Sequence, residues 1–87
     1  MFTHEYLCEE LNNTYIRKNK DYGNSFDLSL DKFGLVASAV RLSDKLNRFT
    51  SLIDGAAEVK DESIEDTLMD MANYCIMTVM YMKNKEK

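Results

Sequence analysis

The stretch DESIEDTLMDMANYCIMTVMYM, residues 61–82, decides the fold of this chain. At about 100° per residue, its apolar side chains recur every three or four positions and share one side of a helix. They are Ile64, Leu68, Met71, Ala72, Cys75 and Val79. A stretch of about six turns with one apolar side predicts the core helix of a helical bundle.

The other flank of this helix is acidic. It carries Glu62, Asp66, Asp70 and Asn73, each close to a whole number of turns from the next. Carboxylates on successive turns repel one another by a few tenths of a kcal/mol per pair unless a cation lies across them. A solvated helix face is one interpretation. Three methionines share this side, however, and a covered carboxylate needs a metal, a basic side chain or hydrogen bonds.

The composition favours one soluble helical domain. The 87 residues are 45% hydrophobic, with no proline and three glycines. Two cysteines and no signal-peptide pattern at the start predict a reducing, cytoplasmic location. No apolar run reaches the roughly 18 to 20 residues that span a membrane. A net charge of −4 argues against duplex nucleic acid as a partner, whereas a small anion bound by locally concentrated cations remains compatible.

The first part of the chain predicts a helix and then a loop. Thr3 is the expected N-cap of a helix that ends near Lys18, and Arg17, Lys18 and Lys20 form a basic cluster at its end. Residues 19–31 predict an ordered loop with a turn at the Gly-Asn pair. In this loop Tyr22 and Phe26 could stack on a base, and Asn24 and Ser25 could bind base edges or phosphate. The alternative is that both aromatic rings only close the end of the bundle.

A second helix is predicted for residues 32–53, with Asp31 as N-cap and Gly55 as the stop. Its expected core seam consists of Leu35, Ala39, Leu42, Leu46, Phe49 and Ile53. Beside the seam lies a charged arc of Arg41, Asp44, Lys45 and Arg48. An exposed network of ion pairs that contributes little to stability is one interpretation of this arc.

The short connection between the second and third helices predicts that they are antiparallel neighbours, and Asp61 or Ser63 is the expected N-cap of the third. Their charged faces then meet, with Arg41, Lys45 and Arg48 opposite the acidic flank. Asp44, Glu62, Asp66 and Asp70 are the expected ligands of Mg²⁺, which prefers carboxylate oxygens, and the basic residues would hold phosphate. A zinc spacing, a phosphate-binding glycine motif and a nucleophile–histidine arrangement are missing from the sequence.

Three runs of sequence closely resemble one family. KNKDYGNSF (18–26), GLVASAVRLSDKLNR (34–48) and DESIEDTLMDMANYCIM (61–77) resemble the nucleotide modification associated domain family, found largely in phages and related bacteria. That family is in turn similar to the MazG-type all-α NTP pyrophosphohydrolases, which hold Mg²⁺ with an EExxE helix followed by an ExxD helix. The resemblance implies a MazG-like all-α fold and a nucleotide ligand.

The metal motif of the resemblance is incomplete here. Asp70 stands at the ExxD aspartate, but Thr67 stands at the glutamate, where Asp66 could substitute. Arg41 and Asp44 occupy the arc of the missing EExxE glutamates, and Glu9-Glu10-x-x-Asn13 in the first helix imitates that motif only in part. These differences would impair metal-dependent hydrolysis more than nucleotide binding, because the basic residues that would hold phosphate are present.

The sequence therefore predicts a small antiparallel bundle of three main helices, one nucleotide-binding domain over residues 1–87. The expected nucleotide-binding residues are Lys20, Tyr22, Asn24, Ser25, Phe26, Arg41, Lys45, Arg48 and Asn73. Surplus apolar surface at Met69, Met77, Met80 and Tyr81 predicts a homodimer or homotetramer. Two activities stay open, Mg²⁺-dependent pyrophosphohydrolysis of a nucleoside triphosphate and sequestration of a nucleotide, such as an immune signal, without catalysis. A purely structural helical partner is the third alternative.

Overall fold

The computed structural model describes residues 1–22, 24–55 and 63–86, with the backbone alone at 21 and 22. These ranges hold four helices: α1 (His4–Tyr22), α2 (Ser25–Phe33), α3 (Val36–Ile53) and α4 (Ile64–Lys85). Within them there is no strand, so the predicted all-α class is confirmed. In the same ranges, no helix combines the length and the apolar character needed to cross a membrane.

Two helices begin where the sequence predicts. At α1 the Thr3 hydroxyl oxygen accepts a hydrogen bond from the backbone N–H of Tyr6 at 3.1 Å. At α4 the Ser63 hydroxyl accepts from the Asp66 N–H at 3.0 Å, and the Asp66 carboxylate accepts from the Ser63 N–H at 3.3 Å. This reciprocal capping box satisfies backbone donors that would otherwise lack partners at the start of the helix.

The predicted loop over residues 19–31 is wrong. α1 continues for a further turn to Tyr22, and after a short turn α2 begins at Ser25. Phe26 and Leu30 explain the helix, because they lie four residues apart on one face and are only 6% and 1% exposed. Asn24 does lie in a turn, but the residues after it bury an apolar stripe.

The single second helix predicted for residues 32–53 is also wrong, because the chain breaks at Gly34. This glycine has a φ of 75°, a left-handed conformation that other residues rarely adopt. Its N–H donates to the Leu30 carbonyl at 2.8 Å and closes α2. Asp31 therefore caps no helix and lies inside α2. The predicted stop at Gly55 is confirmed, with a φ of 69° directly after α3.

α3 and α4 are antiparallel, as predicted. Ser38 contacts Thr78 at 2.6 Å, Arg41 contacts Tyr74 at 3.3 Å and Lys45 contacts Asp70 at 3.0 Å. Residue numbers thus rise along α3 while they fall along α4. Because the Thr78 hydroxyl donates to the Tyr74 carbonyl, the Ser38 hydroxyl is the donor in the first contact.

α1 and α2 are attached to α4 by polar contacts. The Asn73 amide of α4 donates to the Leu11 carbonyl of α1 at 3.1 Å. The Asp31 carboxylate of α2 accepts from the Tyr81 hydroxyl at 2.6 Å and from the Lys85 ammonium at 3.0 Å. These bonds, from Tyr81 first and Lys85 second, lower the pKa of the Asp31 carboxyl below its usual value.

The predicted core seam of α3 is wrong. Leu35, Leu46 and Ile53 are more than half exposed, while Ser38 is buried against α4. Among the residues that the structure describes, the buried apolar side chains are Leu11, Phe26 and Leu30 alone. α3 thus turns its polar stripe towards α4 and leaves much of its apolar stripe at the surface of the single chain.

Candidate functional site

A cavity of about 350 Å³ opens between α1, the start of α2 and the α3–α4 pair. Ligand pockets in proteins commonly begin at about 300 Å³. Its walls combine aromatic, amide and charged groups: Tyr15, Lys18, Asn19, Ser25, Phe26, Arg41, Asp70, Asn73, Tyr74 and Met77. We call this cavity, together with the adjoining Lys45, the basic cleft.

Asp70 joins two lysines in the basic cleft. One carboxylate oxygen accepts from the Lys45 ammonium at 3.0 Å, and the other accepts from the Lys18 ammonium at 3.3 Å. The side chains of Asp70 and Lys45 are 27% and 23% exposed, whereas that of Lys18 is 53% exposed. Asp70 therefore lies between two ammonium groups, and the Arg41 guanidinium lines the same cavity. The basic cleft is therefore positively charged, in a chain whose net charge is −4.

Arg41 is held in place by aromatic side chains. Its guanidinium lies 5.7 Å from the centre of the Tyr74 ring and donates to the Tyr74 hydroxyl at 3.3 Å. The other neighbour of Tyr74 is Phe26, whose ring stacks on it with centroids 5.6 Å apart. Since Phe26 is almost fully buried, its ring positions Tyr74 and has no open face for a base.

The structure brings most of the predicted nucleotide-binding residues near one another. Ser25, Phe26, Arg41 and Asn73 line the cavity, and Lys45 adjoins it through Asp70. Arg48 follows Lys45 by one turn of α3 and is partly buried.

Two of the remaining predicted binding residues do not line the cavity. Lys20 is exposed on α1, and Asn24 borders a smaller neighbouring hollow with Asn19 and Met80. The side chain of Tyr22 lies outside the described residues.

Of the four predicted metal ligands, the three that the structure describes do not form a cluster. Asp44 is exposed on α3, Asp66 serves the capping box, and Asp70 binds two lysines; Glu62 lies outside the described residues. In the described ranges no group of three acidic, histidine or cysteine side chains lies close enough to hold a metal. Carboxylate oxygens engaged by ammonium groups and by backbone N–H groups do not fit Mg²⁺, which needs them as ligands. The Mg²⁺ site stays a prediction.

Sequence reasoning missed five residues of the cavity: Tyr15, Lys18, Asn19, Tyr74 and Met77. Lys18 belongs to the basic cluster at the end of the first helix, a position that the helix dipole favours even without a ligand. Tyr74 lies four residues after Asp70 on the same side of α4, so the spacing of the acidic flank could have included it.

One known protein family matches most of this small all-α chain. The model of the family "nucleotide modification associated domain 1" matches residues 18–82, which are 65 of the 87 residues. The chain belongs to this family. The match begins at Lys18 and includes Arg41, Lys45, Asp70 and Tyr74. No match was found among curated proteins or among solved structures.

Proposed function

We propose that this protein binds a nucleotide, and that the basic cleft holds its phosphate groups. The observation that carries the proposal is the pairing of Lys18 and Lys45 with one carboxylate, beside a cavity of about 350 Å³ that Arg41 also lines. The family description, which associates these domains with nucleotide modification, supports the same ligand class.

The cations suit a ligand with more than one phosphate. Lys18 and Lys45 approach Asp70 from its two oxygens, so an anion in that position can receive an ammonium group on each side. Arg41 adds a planar guanidinium that can donate to two oxygens at once. A hydrogen bond to a charged group contributes about 1.5 to 3 kcal/mol, so three such contacts contribute roughly 4.5 to 9 kcal/mol towards binding.

The base and sugar have a polar and aromatic wall available. Tyr15, Asn19 and Ser25 line the same cavity as Arg41 and offer a ring, an amide and a hydroxyl group. Asn73 is less available, because its amide group already donates to the Leu11 carbonyl and attaches α1 to α4.

Asp70 occupies the place of an anion between the two lysines. In the free protein its carboxylate keeps both ammonium groups near the cleft, and a ligand phosphate takes over one or both of them. Because Asp66 and Asp70 have other partners, binding without a metal and without hydrolysis is favoured over Mg²⁺-dependent pyrophosphohydrolysis.

Calorimetric titration with AMP, ADP and ATP, each in Mg²⁺ and in EDTA, tests this function. We expect one ligand per chain, affinity that rises with the number of phosphates, little dependence on Mg²⁺ and an intact nucleotide on recovery. Lys45→Met should weaken ADP at least tenfold, the effect of losing about 1.4 kcal/mol.

Lys83→Met is the matched control, because Lys83 is exposed on α4 and does not line the cavity. Equal losses in the two variants would mean that the nucleotide binds through general charge and would refute the site. Absence of binding by all three nucleotides would refute the function, and release of pyrophosphate from ATP would establish the hydrolase instead.

A further inference from the structure

The α3–α4 pair has two unlike sides. Ser38 and Thr78 mark the line along which the helices face each other. Each residue has a rotation angle about its helix axis, counted at about 100° per residue from Ser38 on α3 and from Thr78 on α4. In both helices, every residue between about 20° and 120° is uncharged. The charged residues of the basic cleft, among them Asp70 and Arg41, lie on the other side of the contact line.

These two uncharged arcs lie on the same side of the pair. Because the two helices run in opposite directions, rising residue numbers turn clockwise on one and anticlockwise on the other when both are viewed from the same end. Equal rotations from the contact line therefore lead to the same side of the pair. α1 and α2 are both on the other side, since they bind Asn73 and Tyr81 of α4. We call the uncovered side the open face. Its most exposed large residues are Leu35, Leu46, Ile53, Leu68, Val79 and Met82, each between 41% and 60% exposed.

The surface area of the chain is too large for a compact monomer. The accessible surface is 6759 Å², whereas a monomeric protein of 10.1 kDa is expected to have about 5,300 Å². The surplus of roughly 1,500 Å² exceeds the 800 Å² or so that one partner contributes to a standard protein–protein interface.

We propose that the open face is the contact surface between two copies of this chain. The dimer is a bundle in which α3 and α4 of one copy pack against α3 and α4 of the other. An uncharged, continuous apolar surface is typical of permanent homodimers, whose interfaces resemble a protein core cut in half. In the described ranges the single chain buries only three apolar side chains, so a permanent partner would supply the apolar core that it lacks.

This surface differs from the one that the sequence predicts. Tyr81 lies on the α2 side, bound to Asp31, and Met69 and Met77 are partly buried. The open face also leaves the basic cleft accessible on the opposite side of each copy, so the dimer carries two clefts. The proposal does not depend on the identity of the ligand of the cleft.

Light scattering during size-exclusion chromatography measures the assembly directly. We expect the wild-type protein to have twice the mass of the chain, and Leu68→Glu, at the centre of the open face, to have the mass of one chain. The matched control is Leu28→Glu, an equally polar change at a 64% exposed residue of α2, which should remain dimeric. A monomeric wild-type protein, or a dimer that survives Leu68→Glu, would overturn the proposal. A tetramer that Leu68→Glu converts to a smaller species supports it.

A second measurement uses the wild-type protein and needs no variant. Cys75 lies on the open face and Cys8 lies on α1, and both thiols are exposed in the single chain. In the wild-type dimer a thiol reagent should modify Cys8 at least tenfold faster than Cys75, and dilution to the monomer should remove the difference. Equal rates at a concentration where the protein is dimeric would place the contact elsewhere and refute the open face.

Discussion

Replacing Asp70 with asparagine distinguishes the two roles that a carboxylate can have in the basic cleft. The change keeps the size of the side chain and removes its charge. The contact with Lys45, at 3.0 Å and between side chains about one quarter exposed, should be worth about 1 kcal/mol. The contact with Lys18, whose side chain is 53% exposed, is discounted for solvent screening to about 0.3 kcal/mol. Without ligand, we therefore expect the variant to lose about 1 to 1.5 kcal/mol of unfolding free energy.

Ligand binding should change in the opposite direction. Asp70 repels an incoming phosphate and competes with it for the same two ammonium groups. If the phosphate recovers the interactions that the variant lost, affinity rises by about 1 to 1.5 kcal/mol, which is roughly five- to twelvefold. A metal ligand would behave otherwise, because its loss weakens every Mg²⁺-dependent contact with the nucleotide.

Two measurements check this reasoning: thermal unfolding without ligand, and calorimetric titration with ADP in EDTA and in Mg²⁺. Glu65→Gln is the control, since Glu65 is an exposed carboxylate in the first turn of the same helix and does not line the cavity. It should change ADP affinity less than twofold. Weaker binding by Asp70→Asn in Mg²⁺, with unchanged binding in EDTA, would refute the counter-ion role and identify a metal ligand.

Three further predictions concern other contacts. Arg41→Lys should weaken ADP about tenfold in calorimetric titration, because an ammonium group cannot reproduce the guanidinium fork held on Tyr74; unchanged affinity would show that Arg41 does not contact the ligand. Gly34→Ala should lower the unfolding free energy in denaturant titrations by about 1 kcal/mol, since alanine is strained at a φ of 75°, although no atom lies within 4 Å of its new methyl group. Asp31→Asn should destabilise the protein at neutral pH. The pKa of Asp31 is lowered in the folded state, so the stability it contributes is present above the unfolded pKa of about 3.9 and is lost as the pH falls through the folded pKa. Melting curves from about pH 6 downwards should therefore converge for variant and wild type once the pH has fallen below the lowered pKa of Asp31, and a constant difference would contradict the role of the Tyr81 and Lys85 contacts.

The helical class and the antiparallel pair were predictable because they depend on periodicity and connection length. Thr3 and Ser63 carried recognisable capping signals, and Gly55 carried a stop signal. Gly34 was a comparable signal, but it lies inside a long apolar pattern that continues on both sides, so the break was missed. α2 was missed because its nine residues contain only two that are buried, Phe26 and Leu30.

The site was harder to predict, because its residues come from several helices and one sequence does not reveal how those helices are rotated relative to one another. The pairing of Lys45 with Asp70 followed from two facing charged stripes. Lys18 joins the same carboxylate only because Asn73 attaches α1 to α4 at Leu11. That attachment is a side-chain bond to a backbone carbonyl, which leaves no pattern in the sequence of α1.

The rotation of α3 explains both the largest error and the best clue to function. Periodicity identified two stripes on this helix, and the apolar one was assigned to the inside because burial of apolar surface drives folding. The structure turns Ser38, Arg41 and Lys45 towards α4 instead. A single chain of this size gains little stability when charged side chains face the neighbouring helix and apolar side chains face solvent. The arrangement becomes favourable when a second copy covers the open face and an anion joins the cations of the cleft. In the proposed dimer and nucleotide complex, the same rotation of α3 presents its apolar stripe to the second copy and its cations to the ligand.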